Sequence, residues 1–422
     1  MISLRINSRT LHCDLEGSRM LMKALHYLAC VSLFLAGWAH GEDTWVLVGD
    51  RIDVGLTFEE ALGVYKEETP IVALSYFERR ETFRAVTEVY AYKNNDWQII
   101  ATLPRAETLK LACATEDCFL LLANNTGRMD VFAVNAESVT QLPAKGTSGY
   151  AGYASLAVHE NTPFVAFRDA NVQNLTSVRK YMDGEWQSVG EAGAVVDKNV
   201  QRTALAVNQQ GVPYIAYDVI RDIGDLTFSQ TFVKRFMEDT WIPLGNVTKE
   251  QIITNKHVSM TFDADGFPYV ALCNFLNLEM KKYQTEEQWM PIDTNEMSCS
   301  ASDLFYLGAN NQSQPAIASI QRENGEGRFS VVVWDGTKWE TLGPTLATEF
   351  RLKGFSMTTS NIPYALFYEV SLIQRQVYGV RTIGEAPPTP PSPPPDSEAY
   401  ASQYGLVTFF FALSCVMVQL LQ

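Results

Sequence analysis

Six residues at equivalent places in a repeated segment carry groups that could do chemistry: Arg168, Asp169, Asp218, Asn274, Tyr368 and Glu369. Each stands at or next to the end of an apolar, β-favouring run. Carboxylates, an amide, a guanidinium and a phenol together suit sugar hydroxyls or a cation. A hydrolytic reading would need two of the carboxylates within about 5–10 Å of each other. The same residue types also favour turns at strand ends, so the pattern by itself does not separate a site from ordinary polarity. Arg51, Arg79, Arg80, Arg84, Arg168, Arg221 and Arg322 could supply an anion-binding cluster.

Signatures of dedicated catalysis are mostly missing. There is no Ser-His-Asp, phosphate-loop or zinc-hydrolase pattern. His159 falls in a hairpin turn, and His257 precedes a strand without an obvious partner. Asp263-Ala264-Asp265-Gly266 matches a fragment of a calcium loop but reads as a hairpin turn, so Ca²⁺ is a weak expectation and no other cofactor is indicated. The formal charge of −15 disfavours nucleic acid and anionic lipid surfaces as partners.

The elements that would position these groups repeat along the chain. A Pro-led apolar strand recurs at Pro70, Pro163, Pro213, Pro268, Pro315 and Pro363, and Cys118-Phe119-Leu120-Leu121-Leu122 fills the double gap. A Trp-led strand recurs at Trp45, Trp97, Trp186, Trp241, Trp289 and Trp339, with a copy lacking Trp at 138–142. Residues 203–245 show the whole unit: four short strands, two hairpins and no helical period. The Trp45 strand has no Pro strand before it, and the Pro363 strand has no Trp strand after it. A ring resolves that mismatch, with Trp45 supplying the outer strand of the last blade and removing both open edges. The expected fold is therefore all-β: a seven-bladed propeller of four-stranded antiparallel blades.

Residues 155–190 (SLAVHENTPFVAFRD, then VRKYMDGEWQSVG) resemble extracellular β-propeller repeats of the form S-L-A-V-x-x-x-G-x-P-Y-V-A-Y followed by G-x-W-x-x-V-G. The resemblance covers about residues 45–384 and implies architecture, distantly sialidase-like or kelch-like, without implying an activity. Neither sialidase Asp boxes nor kelch double glycines are present.

The ends point to export. Lys23 and His26 bracket the start of an apolar run, 25–35, and Ala39-His40-Gly41 places small residues for cleavage before Glu42. Residues 1–41 read as leader and signal peptide, 42–385 as the propeller and 386–397 as a Pro-rich stalk. Small residues at Ser397 and Ala399, a polar spacer and an apolar tail over 406–422 read as a removed GPI signal attached at Ser397, with a short membrane span as the alternative. Outside these segments four cysteines remain, and blade geometry pairs Cys113 with Cys118 and Cys273 with Cys299. Asn124, Asn174, Asn246 and Asn311 head glycosylation sequons. The reading is a lipid-anchored cell-surface glycoprotein, lectin-like or protein-recognising, acting in adhesion without catalysis. An anchored glycoside hydrolase or lyase and a structural coat protein are the alternatives.

Overall fold

A computed structural model describes residues 5–6, 9–10 and 44–384, except 67, 79–83, 115, 125–126, 144–149, 194–199, 224–225, 250, 253–256, 275–276, 285–287, 295–296, 300–304, 311, 324–325 and 373–374. Residues 43–384 form one compact unit. They fold into seven antiparallel blades whose strands pair in chain order from the centre outwards. Blade 1 runs Thr57–Tyr65, Thr69–Glu78, Arg84–Lys93, Asp96–Pro104, and blade 4 runs Val200–Val207, Pro213–Ile223, Leu226–Met237, Thr240–Asn246. The innermost strands touch one another in succession, and that of blade 7 (Arg351–Met357) returns to that of blade 1. Closure is made as the repeat order requires: Thr44–Leu47 pairs with Arg375–Gly384 as the outer strand of blade 7.

Local sequence explains the blade. The Pro-led second strand is flanked on both faces by neighbouring blades, so it reads as a continuous apolar run rather than an alternating one. Ile71, Val72, Ala73 and Leu74 are all fully buried, as are Val270, Ala271 and Leu272. Its proline stands first or second, near the start of the strand, where a missing N–H is tolerated. Asn94-Asn95, Asp183-Gly184 and Glu238-Asp239 join third to fourth strands with both residues at positive φ, the two-residue turn whose twist matches the ladder. Seven apolar clusters result, each spanning two adjacent blades.

The recurring tryptophan has a specific role in this stacking. Its indole N–H donates to a carbonyl at or just beyond the outer strand of the preceding blade. The pairs are Trp186 to Pro143 (2.9 Å), Trp241 to Val189 (2.9 Å), Trp289 to Leu244 (2.8 Å), Trp339 to Asp293 (2.6 Å), Trp45 to Pro344 (2.7 Å) and Trp97 to Val48 (3.0 Å). The last two carry the strap across the chain closure. Blade 2, whose outer strand Val139–Gln141 lacks the tryptophan, lacks this donor toward blade 1. Both expected disulfides form: Cys113–Cys118 clips the first hairpin of blade 2, and Cys273–Cys299 ties the end of the second strand of blade 5 to the connection towards blade 6.

Candidate functional site

The three predicted acids lie on second strands, on blades 3, 4 and 7, and all are buried. Asp169 ends its strand as expected, whereas Asp218 and Glu369 stand inside theirs, because Pro213–Ile223 and Pro363–Leu372 continue pairing beyond the apolar run. Asp169 accepts from the backbone N–H and the side-chain amide of Asn171, both at 3.0 Å, and faces Arg179 of the adjoining strand at 3.7 Å. Asp218 accepts the Thr231 hydroxyl at 2.6 Å and faces Arg202 at 3.7 Å. Burial pushes its carboxyl pKa up, opposed by the Thr231 bond and Arg202. Glu369 is gripped by Arg381 at 2.8 Å and by Arg51, which follows the closing strand. The ion pairs found for each acid are with arginine.

The other predicted positions divide. Arg168 donates to the Asn174 carbonyl at 3.2 Å. Asn274 ends the Pro268–Asn274 strand, paired through its backbone register with Asn277; its side chain lies outside the described residues. Tyr368 is half-buried, with its ring 5.8 Å from that of Tyr378. Of the sequons, Asn174 and Asn246 are exposed, Asn124 is half-buried in a turn, and Asn311 lies outside the described residues, as do Ser397 and the segments read as signal peptide, stalk and anchor signal. Asp263 caps its hairpin turn, accepting from Asp265 and Phe267 N–H at 3.0 and 2.8 Å, and pairs with Lys282 at 2.7 Å. Among the described residues no group of three or more His, Cys, Asp or Glu is placed to hold a metal ion.

A denser polar constellation lies on the innermost strands. Thr57, Phe58, Glu60, Arg351, Lys353, Tyr368 and Tyr378 line a cleft of about 160 Å³ where blades 7 and 1 meet. Tyr378 donates to Glu60 at 2.6 Å, Lys353 stands 3.3 Å from the same carboxylate oxygen, and Thr57 bonds both partners. Burial pushes the Tyr378 phenol far up, and Glu60 adds to the shift. Tyr368, one of the six predicted positions, is the member of that set that joins this cleft.

Around the same centre, Glu59, Lys110, Arg202, His257, Tyr306 and Lys353 lie on or beside the innermost strands of blades 1, 2, 4, 5, 6 and 7. They feel one another's charge. Burial lifts the Glu59 carboxyl to about 7; Glu60 reinforces that shift while Lys110 and Lys353 oppose it. Burial lowers the His257 imidazole to about 4, helped by Lys110 and Arg202, although the residue as a whole is half-buried. His257 packs edge-on against Phe305 at 5.0 Å. Burial also raises the Tyr306 phenol, with Glu60 and Glu59 contributing. Apart from His257, sequence reading passed over these residues because innermost strands lack the apolar runs that mark the second strands. The available signal was a charged residue in the short segments before the second strands of blades 1, 2, 4 and 7, at Glu59, Lys110, Arg202 and Lys353.

No protein-family model matches the chain, and no curated protein matches it. Solved structures share the propeller architecture at low identity. YCF48 bound to D1 peptide is 10% identical with a TM-score of 0.45, over 83% of this chain and 98% of the other. The Penicillium chrysogenum alpha-L-arabinanase complexed with arabinobiose is 9% identical with a TM-score of 0.41, over 80% and 98%. The Aleuria aurantia lectin is 13% identical with a TM-score of 0.39, over 68% and 97%. These likenesses concern the fold.

Proposed function

We propose that this protein is an exported, lipid-anchored binding propeller. It holds a glycan in the polar cleft between blades 7 and 1 and does so without catalysis. One observation carries the reading. The three acids best spaced by the repeat are each buried against an arginine, whereas the cleft between blades 7 and 1 brings half-buried Tyr368 and Lys353 and exposed Arg351 beside one carboxylate, Glu60, that the buried Tyr378 phenol already hydrogen-bonds. Such a set offers hydrogen-bonding groups to sugar hydroxyls and the Tyr368 ring to a sugar's apolar face. Export and anchoring rest on the terminal segments of the sequence.

A glycan array probed with the secreted 42–397 chain tests this. Specific binding should weaken at least about tenfold in Tyr368→Ala and Arg351→Ala. A blank array with folded protein, or binding untouched by both changes, refutes it. A hydrolase reading is favoured by one feature, the Glu59 carboxyl held near 7 beside Glu60. Turnover of aryl glycosides that vanishes in both Glu59→Gln and Glu60→Gln would replace the binding reading.

A further inference from the structure

A second concavity, of about 520 Å³, lies well away from that cleft, between the outer parts of blades 4 and 5. Its wall contains Asn246, the first residue of an Asn-Val-Thr sequon, together with Gln230, Lys249, Lys281, Gln288 and Trp289. The sequon is held in an unusual way. Its Val247 and Thr248 are buried while Asn246 is exposed. Lys281 donates to the Val247 carbonyl at 2.7 Å, Gln230 to the Thr248 carbonyl at 3.3 Å, and Thr231 N–H to the Thr248 hydroxyl at 3.0 Å. Val247 N–H returns a bond to Thr231 at 2.9 Å. The strand register shifts just before Asn246, with Gly245 at φ +79°, which is how the chain presents this residue at the groove.

We infer that the groove between blades 4 and 5 seats the first sugars of an N-linked glycan attached to Asn246. The attachment atom is already in the wall, so the glycan core needs no long reach. Trp289 is pinned by its bond to Leu244 and packs on Tyr283 at 5.3 Å, presenting an ordered aromatic surface to the apolar face of a sugar. Gln288, Lys249 and Gln230 offer partners for the hydroxyl and acetamido groups. Because Thr248 is locked into the fold through its hydroxyl, attachment must precede closure of blade 4. The seated glycan then bridges blades 4 and 5. Asn174, exposed in a turn at φ +61°, serves as the internal control.

The test uses the full chain expressed with its leader in a secreting eukaryotic cell. Glycopeptide mass spectrometry reads occupancy at Asn246 and Asn174, and N-glycanase release is timed on native and on denatured protein. The expected result is an occupied Asn246 whose native release is at least about tenfold slower than that of Asn174, with equal rates after denaturation. Release at Asn246 should accelerate in Trp289→Leu and in Gln288→Ala, the second variant deciding if the first fails to fold. An unmodified Asn246, a native release as fast as that of Asn174, or slow release unchanged by either variant overturns the inference. Each result is independent of ligand binding at the cleft between blades 7 and 1.

Discussion

Glu59 and His257 make opposite demands on pH, and the pair yields a quantitative prediction. Glu59 has its carboxyl raised from 4.5 to about 7, so between those values the folded protein binds a proton that the unfolded chain has released. Stability from this group is greatest below 4.5 and declines as pH rises towards 7. At about 1.36 kcal/mol per pH unit the whole effect is about 3 kcal/mol. His257 has its imidazole lowered from 6.5 to about 4, so the unfolded chain binds the extra proton. Stability from this group is full above 6.5 and is lost as pH falls towards 4, again by about 3 kcal/mol. Between pH 4.5 and 6.5 the two slopes cancel. Glu59→Gln should therefore unmask the histidine: relative to wild type, unfolding free energy should climb by about 2.5 kcal/mol from pH 4.5 to 6.5. His257→Gln should do the reverse over the same range. Urea denaturation at closely spaced pH values, with each variant subtracted from wild type, reads both slopes. Parallel wild-type and variant curves, or slopes of the same sign in the two variants, would refute the assignment of these groups to a shared, desolvated centre.

Other outcomes follow from the same geometry. Lys110 depresses both groups, so Lys110→Met should raise the Glu59 and His257 pKa values together, measurable by NMR titration of the carboxyl and imidazole resonances. Trp45 closes the ring, packs edge-on against Phe329 at 4.8 Å and is 5% exposed; Trp45→Ala should cost about 3–5 kcal/mol, and Trp45→Phe about 1 kcal/mol for the lost bond to Pro344, by chemical denaturation. Arg381→Met leaves buried Glu369 with Arg51 as its remaining guanidinium and should destabilise by about 3 kcal/mol at neutral pH, with part of the loss recovered in Glu369→Gln/Arg381→Met. Of the two disulfides, Cys273–Cys299 closes the longer loop, with a sequence separation of 26 against 5; its removal should cost about 3.5 kcal/mol against about 2 for Cys113–Cys118, read as a larger fall in Tm.

Much of the architecture was legible because it is written in local, periodic terms. A strand buried on both faces must be apolar throughout, so each Pro-led run announces a second strand wherever it falls. Trp45 without a preceding partner strand, and Pro363 without a following one, required a closed ring, and the Thr44–Leu47 ladder on Arg375–Gly384 is that closure. The cysteine pairs followed from blade geometry alone. The candidate site was legible only in part, through Tyr368. Asp169, Asp218 and Glu369 look alike to the repeat, as polar residues where the apolar run stops, although only Asp169 ends its strand. Their surroundings depend on Arg179, Arg202, Arg381 and Arg51, and register across strands or blade closure brings these guanidiniums alongside. Glu60 meets Tyr378 from a position 318 residues away because blade 7 closes onto blade 1. Lys110 and His257 likewise sense each other only because the innermost strands converge on one centre. Sequence determined the blades, since burial and turn chemistry act over a few residues. Tertiary structure decided which charges meet, since only ring closure sets distances between residues that hundreds of positions separate.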